Sequence, residues 1–224
     1  MISGVPQGTV LGPLLFLIYL NDIFNCIQHS EISCFADDSR IYRSISACSD
    51  SLLLQHDLLA VSQWSIANNM ELHEDKFVYL NFNARPINFS LTNLPFYQEN
   101  LWYRTYSGQI LETSNLVSDL GITFSEDLDW SPHISNIVNK AKQKAGWALS
   151  VFNDRSPLVM ITLYKSMVRS LLEYSCPVWC GLSLENLRDL EAIQRSFTRK
   201  IICPAYVSGY WERLQYLKLR SLQR

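Results

Sequence analysis

Asp37 and Asp38 are the residues whose types and spacing most directly imply chemistry. Two adjacent carboxylates repel, and both stay ionised cheaply only near a cation. Hard carboxylate oxygens suit Mg²⁺, which keeps several of its waters and bridges to substrate phosphates. Such pairs serve two-metal phosphoryl or nucleotidyl transfer. Asp and Asn are also turn formers, so the dipeptide by itself carries a structural reading too. Upstream, residues 4–8 read Gly-Val-Pro-Gln-Gly, a loop with two glycines and a proline.

The elements that must position these groups can be read from pattern. Residues 31–35 and 39–45 look like short strands around an Ala36-Asp37-Asp38 turn, so a β-hairpin with an acidic tip is predicted. Residues 9–20 form the most apolar stretch in the chain and are expected to be a buried helix running to about Cys26. Asp50 is the expected N-cap of a second helix, with Leu52, Leu53, His56, Leu59, Ala60, Gln63, Trp64 and Ala67 in helical period. Residues 76–82, 87–91, 109–112 and 116–124 are expected strands, the last broken at Gly121. From Ser131-Pro132 onward the period becomes helical, with helices predicted over 131–148, 157–172, 184–202 and 210–217.

Composition narrows the class. The 224 residues are 48% hydrophobic and 18% charged, with only 8 Gly and 8 Pro. That excludes disorder by low hydrophobicity and any collagen-like or Gly/Ser-rich chain. The net charge of −2 hides an asymmetry: residues 1–83 carry 3 basic and 9 acidic side chains, residues 140–224 carry 14 basic and 6 acidic. A basic back half cues a nucleic-acid partner, although a solvated basic helical surface has the same signature. Six cysteines and four histidines show no CxxC or HxxxH spacing, so no zinc site is expected and buried free thiols are. Residues 9–20 are too short to span a bilayer, and no Lys or Arg precedes them as in a signal peptide. The chain is expected to be intracellular, nuclear or cytoplasmic, neither secreted nor membrane-bound.

The motifs together resemble a known family. Phe35-Ala36-Asp37-Asp38 resembles the aromatic-x-Asp-Asp signature of reverse transcriptases. Gly4-Val5-Pro6-Gln7-Gly8, followed by Leu11-Gly12-Pro13-Leu14-Leu15-Phe16, resembles the motif that precedes it, particularly in polymerases of non-LTR retrotransposons of the LINE and jockey kind. Trp64, Asn69, Leu72 and Lys76 resemble the next palm motif, and Leu120-Gly121-Ile122 the primer grip. Residues 163–199, from Leu163-Tyr164-Lys165-Ser166 to Gln194-Arg195 and Arg199, are similar to the thumb.

The resemblance implies an α+β fold: an incomplete palm, an antiparallel sheet with helices, over residues 1–130, then an all-helical thumb over 131–224. It implies an RNA-directed DNA polymerase that extends a DNA primer on an RNA template with deoxynucleotides and Mg²⁺, Mn²⁺ being possible. Asp37 and Asp38 would be catalytic and hold the metal. Pro6, Gln7, Gly8, Phe35 and Lys76 would contact the nucleotide and template. Leu120 and Gly121 would steady the primer, and Lys140, Lys144, Arg195 and Arg199 would meet the nucleic-acid backbone. The family's centre has a third acidic ligand on a strand upstream of the Pro6-Gln7-Gly8 loop. Only Met1-Ile2-Ser3 precede that loop here, so these residues alone are expected to synthesise weakly and to leave a palm edge unpaired. The rival reading is a non-catalytic nucleic-acid-binding protein that uses the basic helices.

Overall fold

The computed structural model describes residues 8–82, 103–153, 156–202, 207 and 209–222, which form two compact units. One comprises the described residues of 8–79 and 103–114, the other those of 80–82 and 115–222. The division falls near residue 115 rather than 130. The hairpin over residues 116–125 packs against the helix that begins at Ser131, so it sorts with the helices.

The first unit opens with α1 (Leu11–Leu20), continued by a 3-10 turn over Asn21–Cys26. The antiparallel hairpin β1 (Glu31–Phe35) and β2 (Asp38–Tyr42) follows, then α2 (Cys48–Ala67) and the short strands β3 (Val78–Tyr79) and β4 (Glu112–Thr113). β3 and β4 pair in parallel, the exception in an otherwise antiparallel set. The 76–82 strand shrinks to two residues because 74–76 close a 3-10 turn. The 87–91 strand lies outside the described residues.

The apolar core of this unit is small. Leu20, Ile23 and Val61 are buried, with Phe16, Ile32, Cys34, Ile41 and Trp64 packed around them. The expected burial of α1 is not observed: Leu11, Leu14, Leu17 and Ile18 are all more than half exposed. Only Gly12 and Leu20 of that helix are buried, since its apolar residues encircle the axis and the unit covers one side. α2 also turns a different face inward. Asp57, Val61, Ser62 and Ser65 are buried, while Leu52, Gln63 and Ala67 of the predicted stripe are exposed.

The second unit begins with the antiparallel hairpin β5 (Leu116–Asp119) and β6 (Ile122–Ser125), turning at Leu120-Gly121 as the Gly121 break predicts. The helices are α3 (Ser131–Val151), α4 (Pro157–Leu163), α5 (Ser170–Glu173), α6 (Leu184–Ile201) and α7 (Tyr210–Tyr216). A π-helical turn over Tyr164–Arg169 joins α4 to α5. Pro132 and Pro157 start their helices, where the missing N–H costs nothing. Ser183 caps α6 by accepting from the Asn186 N–H.

Here the predicted stripes hold: Ile134, Ile137, Val138, Ala141, Ala145 and Ala148 of α3 are buried against Leu190, Ile193, Phe197 and Ile201 of α6. Met160, Tyr164, Val168 and Leu172 fill the remaining side at no more than 1% exposure, whereas Leu158, Thr162 and Lys165 face out. Buried polar groups are satisfied in one cluster. Glu191 accepts from the Tyr210 hydroxyl and the Leu222 N–H, and Gln194 joins it to Tyr164 and the Arg220 carbonyl. Burial pushes the Tyr164 and Tyr210 hydroxyls far above their ordinary range, so both stay protonated donors. His133 is buried and accepts the Thr123 N–H at Nδ1, tying β6 to α3. Burial, then the charge of Lys140, holds its pKa down, which favours the neutral ring.

No described helix is long and apolar enough to cross a membrane. The expectation of buried thiols fails for Cys176 and Cys180, which are exposed; Cys26, Cys34 and Cys48 are half-buried and free.

Phe197 is 1% exposed with its ring 4.9 Å from that of Tyr164. Phe197→Ala should therefore destabilise the helical unit by about 3–5 kcal/mol in urea unfolding. Leu184→Ala, at a position 72% exposed, should change it by less than about 0.5 kcal/mol.

Candidate functional site

The Asp37-Asp38 pair stands at the tip of the β1–β2 hairpin. The register pairs Phe35 with Asp38 and Cys34 with Ser39. The connection is thus a two-residue turn of Ala36 and Asp37, and Asp38 is the first residue of β2 rather than a turn residue. Ala36 has φ +52°, the left-handed region that the first position of a tight hairpin turn demands. Alanine is small enough to tolerate it, at a cost of about 1–2 kcal/mol. Asp37 and Asp38 are both exposed, and Phe35 is 62% exposed beside them. The tip thereby offers adjacent hard oxygen donors to solvent, a donor set suited to a divalent cation such as Mg²⁺.

Two carboxylates of α2 hold the feet of this hairpin. Asp57, with no exposure, accepts the N–H of His29 at 2.8 Å and of Gln28 at 3.2 Å, just ahead of β1. Burial alone would raise its pKa; hydrogen bonds from the His29 amide, then the Ser30 hydroxyl, the Gln28 amide and His56, more than offset that, and its carboxyl sits below the usual range. Asp50 serves the exit of β2. It is not the N-cap but the third residue of α2, accepting the Ser46 and Ala47 N–H at 2.9 Å each and pairing with Arg43 at 2.8 Å. The Arg43 guanidinium first, then those amides, hold the Asp50 pKa at about 2. Arg43 also donates to the His29 carbonyl. The spacing of Asp50 and Asp57, two helical turns, could have flagged one shared face. Their partners are distant in sequence and left no local signal.

Of the other residues singled out by sequence, Pro6 and Gln7 lie outside the described residues. Gly8 is exposed with φ +79°, and Lys76 is exposed at the end of the 3-10 turn Glu74–Lys76. Leu120 and Gly121 occupy the β5–β6 turn of the second unit, with φ +45° and +81°. The Leu120 carbonyl accepts from the Tyr174 hydroxyl at 3.0 Å, a brace the sequence did not reveal. Lys140 and Lys144 lie one turn apart on the exposed side of α3, as do Arg195 and Arg199 on α6. The Arg195 guanidinium rests 4.5 Å over the Tyr210 ring, which orients it at the surface. The structure thus gathers Phe35, Asp37 and Asp38 at one tip. The turn and basic residues belong to the helical unit.

The reverse transcriptase (RNA-dependent DNA polymerase) family model matches residues 2–123. A probable RNA-directed DNA polymerase from transposon X-element of Drosophila melanogaster is 27% identical over 89% of this chain and 22% of its own length. The RNA-directed DNA polymerase from mobile element jockey of the same organism is 26% identical over 99% of this chain and 23% of its own. A probable RNA-directed DNA polymerase from transposon BS, also of D. melanogaster, is 24% identical over 93% and 23%. The chain therefore spans less than a quarter of the length of these relatives. No solved structure matches it.

Two outcomes check the geometry. In an NMR titration the Asp50 carboxyl should titrate near pH 2, and Arg43→Met should move it upward. Because its folded pKa is depressed, the stability Asp50 contributes is present above the unfolded carboxylate range near pH 4 and lost as pH falls toward the folded value. Ala36→Gly should raise thermal stability by about 1 kcal/mol, and Ala36→Val should lower it by more than that.

Proposed function

Because this chain belongs to the reverse transcriptase (RNA-dependent DNA polymerase) family, we propose that it carries the metal-binding hairpin and primer-holding helices of a retrotransposon polymerase. The reaction is the template-directed addition of deoxynucleotides to a primer 3′ hydroxyl, with RNA as template. The observation that carries this reading is the hairpin tip, where the consecutive residues Asp37 and Asp38 are both exposed on a hairpin clamped at both feet.

Mg²⁺, or Mn²⁺ in its place, would be held by Asp37 and Asp38 and would stabilise charge on the triphosphate while acidifying the primer hydroxyl. The remaining roles belong to side chains. Phe35 offers an exposed ring against which a base or sugar can pack, and Lys76 an ammonium for the triphosphate. Pro6, Gln7 and Gly8 line the nucleotide and template. The Leu120-Gly121 turn, braced by Tyr174, steadies the primer end. Lys140, Lys144, Arg195 and Arg199 neutralise backbone phosphates of the duplex, which suits their exposure on α3 and α6. An intracellular setting accords with the free thiols.

Primer extension on an RNA template, by the product of the complete reading frame that contains these residues, tests the reading. Asp37→Asn should lower the Mg²⁺-dependent rate by about 10²-fold or more while leaving the melting temperature unchanged. An Asp37→Asn protein that extends at the wild-type rate would overturn it. Binding to an RNA–DNA duplex should weaken with salt. Replacing Lys140, Lys144 or Arg199 by Ala should each reduce the slope of log K against log salt by about 0.9. Salt-sensitive binding with no synthesis under any divalent cation would favour the non-catalytic role of the basic helices.

A further inference from the structure

Behind the hairpin, a second group of potential ligands comes together that has no counterpart in the proposed polymerase chemistry. We propose that His29, His56 and Asp57 form a binding site for a transition-metal dication of the zinc type, which ties the loop ahead of β1 to helix α2. Among the described residues, these are the His, Cys, Asp and Glu side chains whose ligand atoms cluster, all within 4.8 Å of one another.

The chemistry of the set selects the ion. Two imidazoles and one carboxylate suit Zn²⁺, Ni²⁺, Co²⁺ or Cu²⁺. Mg²⁺ prefers oxygen ligands throughout. The site is thus distinct in kind from the all-carboxylate tip at Asp37 and Asp38. Three protein ligands leave one tetrahedral position for water, and the exposure of both histidines keeps that position open to solvent.

The geometry suits a site with one fixed ligand and two mobile ones. Asp57 is fully buried and locked by the Gln28 and His29 amides, one on each oxygen. Those bonds use two of about four acceptor positions on the carboxylate, so capacity for a metal remains. Ligating carboxylates are themselves commonly held by such outer hydrogen bonds. The His29 and His56 rings meet edge to face, with centroids 5.5 Å apart, and His56 Nδ1 lies 3.4 Å from the carboxylate. In a tetrahedral site, ligand atoms each about 2.1 Å from the ion lie about 3.4 Å apart, the separation already found between His56 Nδ1 and the carboxylate. A pair at the 4.8 Å limit must therefore close by about 1.4 Å, a shift that the exposed imidazoles make by changing rotamer. The cation facing the cluster, Arg43, donates to the His29 carbonyl and is paired with Asp50, which offsets its charge.

The site would act as a staple. His29 stands two residues ahead of β1, and His56 and Asp57 sit in the middle of α2. A bound ion would add a metal cross-link to the amide clamp already at that foot of the hairpin. The effect does not depend on polymerase activity.

The test uses the full chain, stripped of metal, with Cys176 and Cys180 replaced by Ser so that exposed thiols do not compete for the ion. Calorimetric titration should show one Zn²⁺ bound per chain, and Zn²⁺ should raise the melting temperature where Mg²⁺ at the same concentration does not. Co²⁺ in place of Zn²⁺ should give visible d–d absorption. His29→Asn and His56→Asn, both at exposed positions, should each weaken Zn²⁺ binding by at least about tenfold and remove the Co²⁺ absorption. Absence of Zn²⁺ binding in this background overturns the proposal. So does binding that the double histidine variant retains unchanged.

Discussion

A buried carboxylate in α2 determines where the hairpin can be. Asp57 has no contact with solvent, and an ionised group there is tolerable only if its oxygens are hydrogen-bonded. The N–H groups of Gln28 and His29 supply those bonds and are thereby fixed to the helix. Two turns earlier, Asp50 gathers Arg43, Ser46 and Ala47 at the other foot. One helix thus grips both the entry and the exit of β1–β2, leaving the tip as the part that reaches outward. The register then carries Asp37 and Asp38 to that tip.

This polar grip matters because the first unit has little apolar core. Its apolar cluster is centred on only three buried aliphatic side chains, Leu20, Ile23 and Val61, and much of α1 faces outward. The helical unit has the opposite economy. Interdigitated aliphatic and aromatic residues from α3 to α6 fill its interior, and a buried polar cluster ties the chain beyond α7 to α6. Charge follows the same division: the acidic end of the chain forms the hairpin unit, and the basic end forms helices whose described lysines face outward with Arg188, Arg195 and Arg199.

What the sequence disclosed depended on range. The acidic hairpin, the break at Gly121 and the helices from Ser131 onward rest on local periodicity and turn chemistry, and each was legible to within a few residues. Helix faces were legible where apolar residues alone choose the buried side, as in α3 and α6. They were not in α2, where Asp57 and two serines face inward because a carboxylate must meet two amides nearly thirty residues away. Asp50 was recognised as a capping residue, but it caps from the third helical position, accepting the Ala47 N–H, and not as the N-cap. The His29, His56 and Asp57 grouping has no sequence signature, since its spacing follows no metal motif and only the folded loop closes it. The apolar run of α1 reads as buried because composition cannot report how much of a helix its neighbours will cover.

The wide turn between α4 and α5 has a geometric consequence. In an α-helix each residue advances about 100°, so positions four apart overshoot a full turn by about 40° and drift about 120° over three such steps. Met160, Tyr164, Val168 and Leu172 are spaced in this way, yet all four stay fully inside. The π turn over Tyr164–Arg169 winds less per residue and returns the lost angle. The rod therefore carries its apolar seam parallel to its own axis instead of in a slow spiral. Its two halves stay in phase, and α3 can follow the seam past the wide turn and on to α5 without bending away.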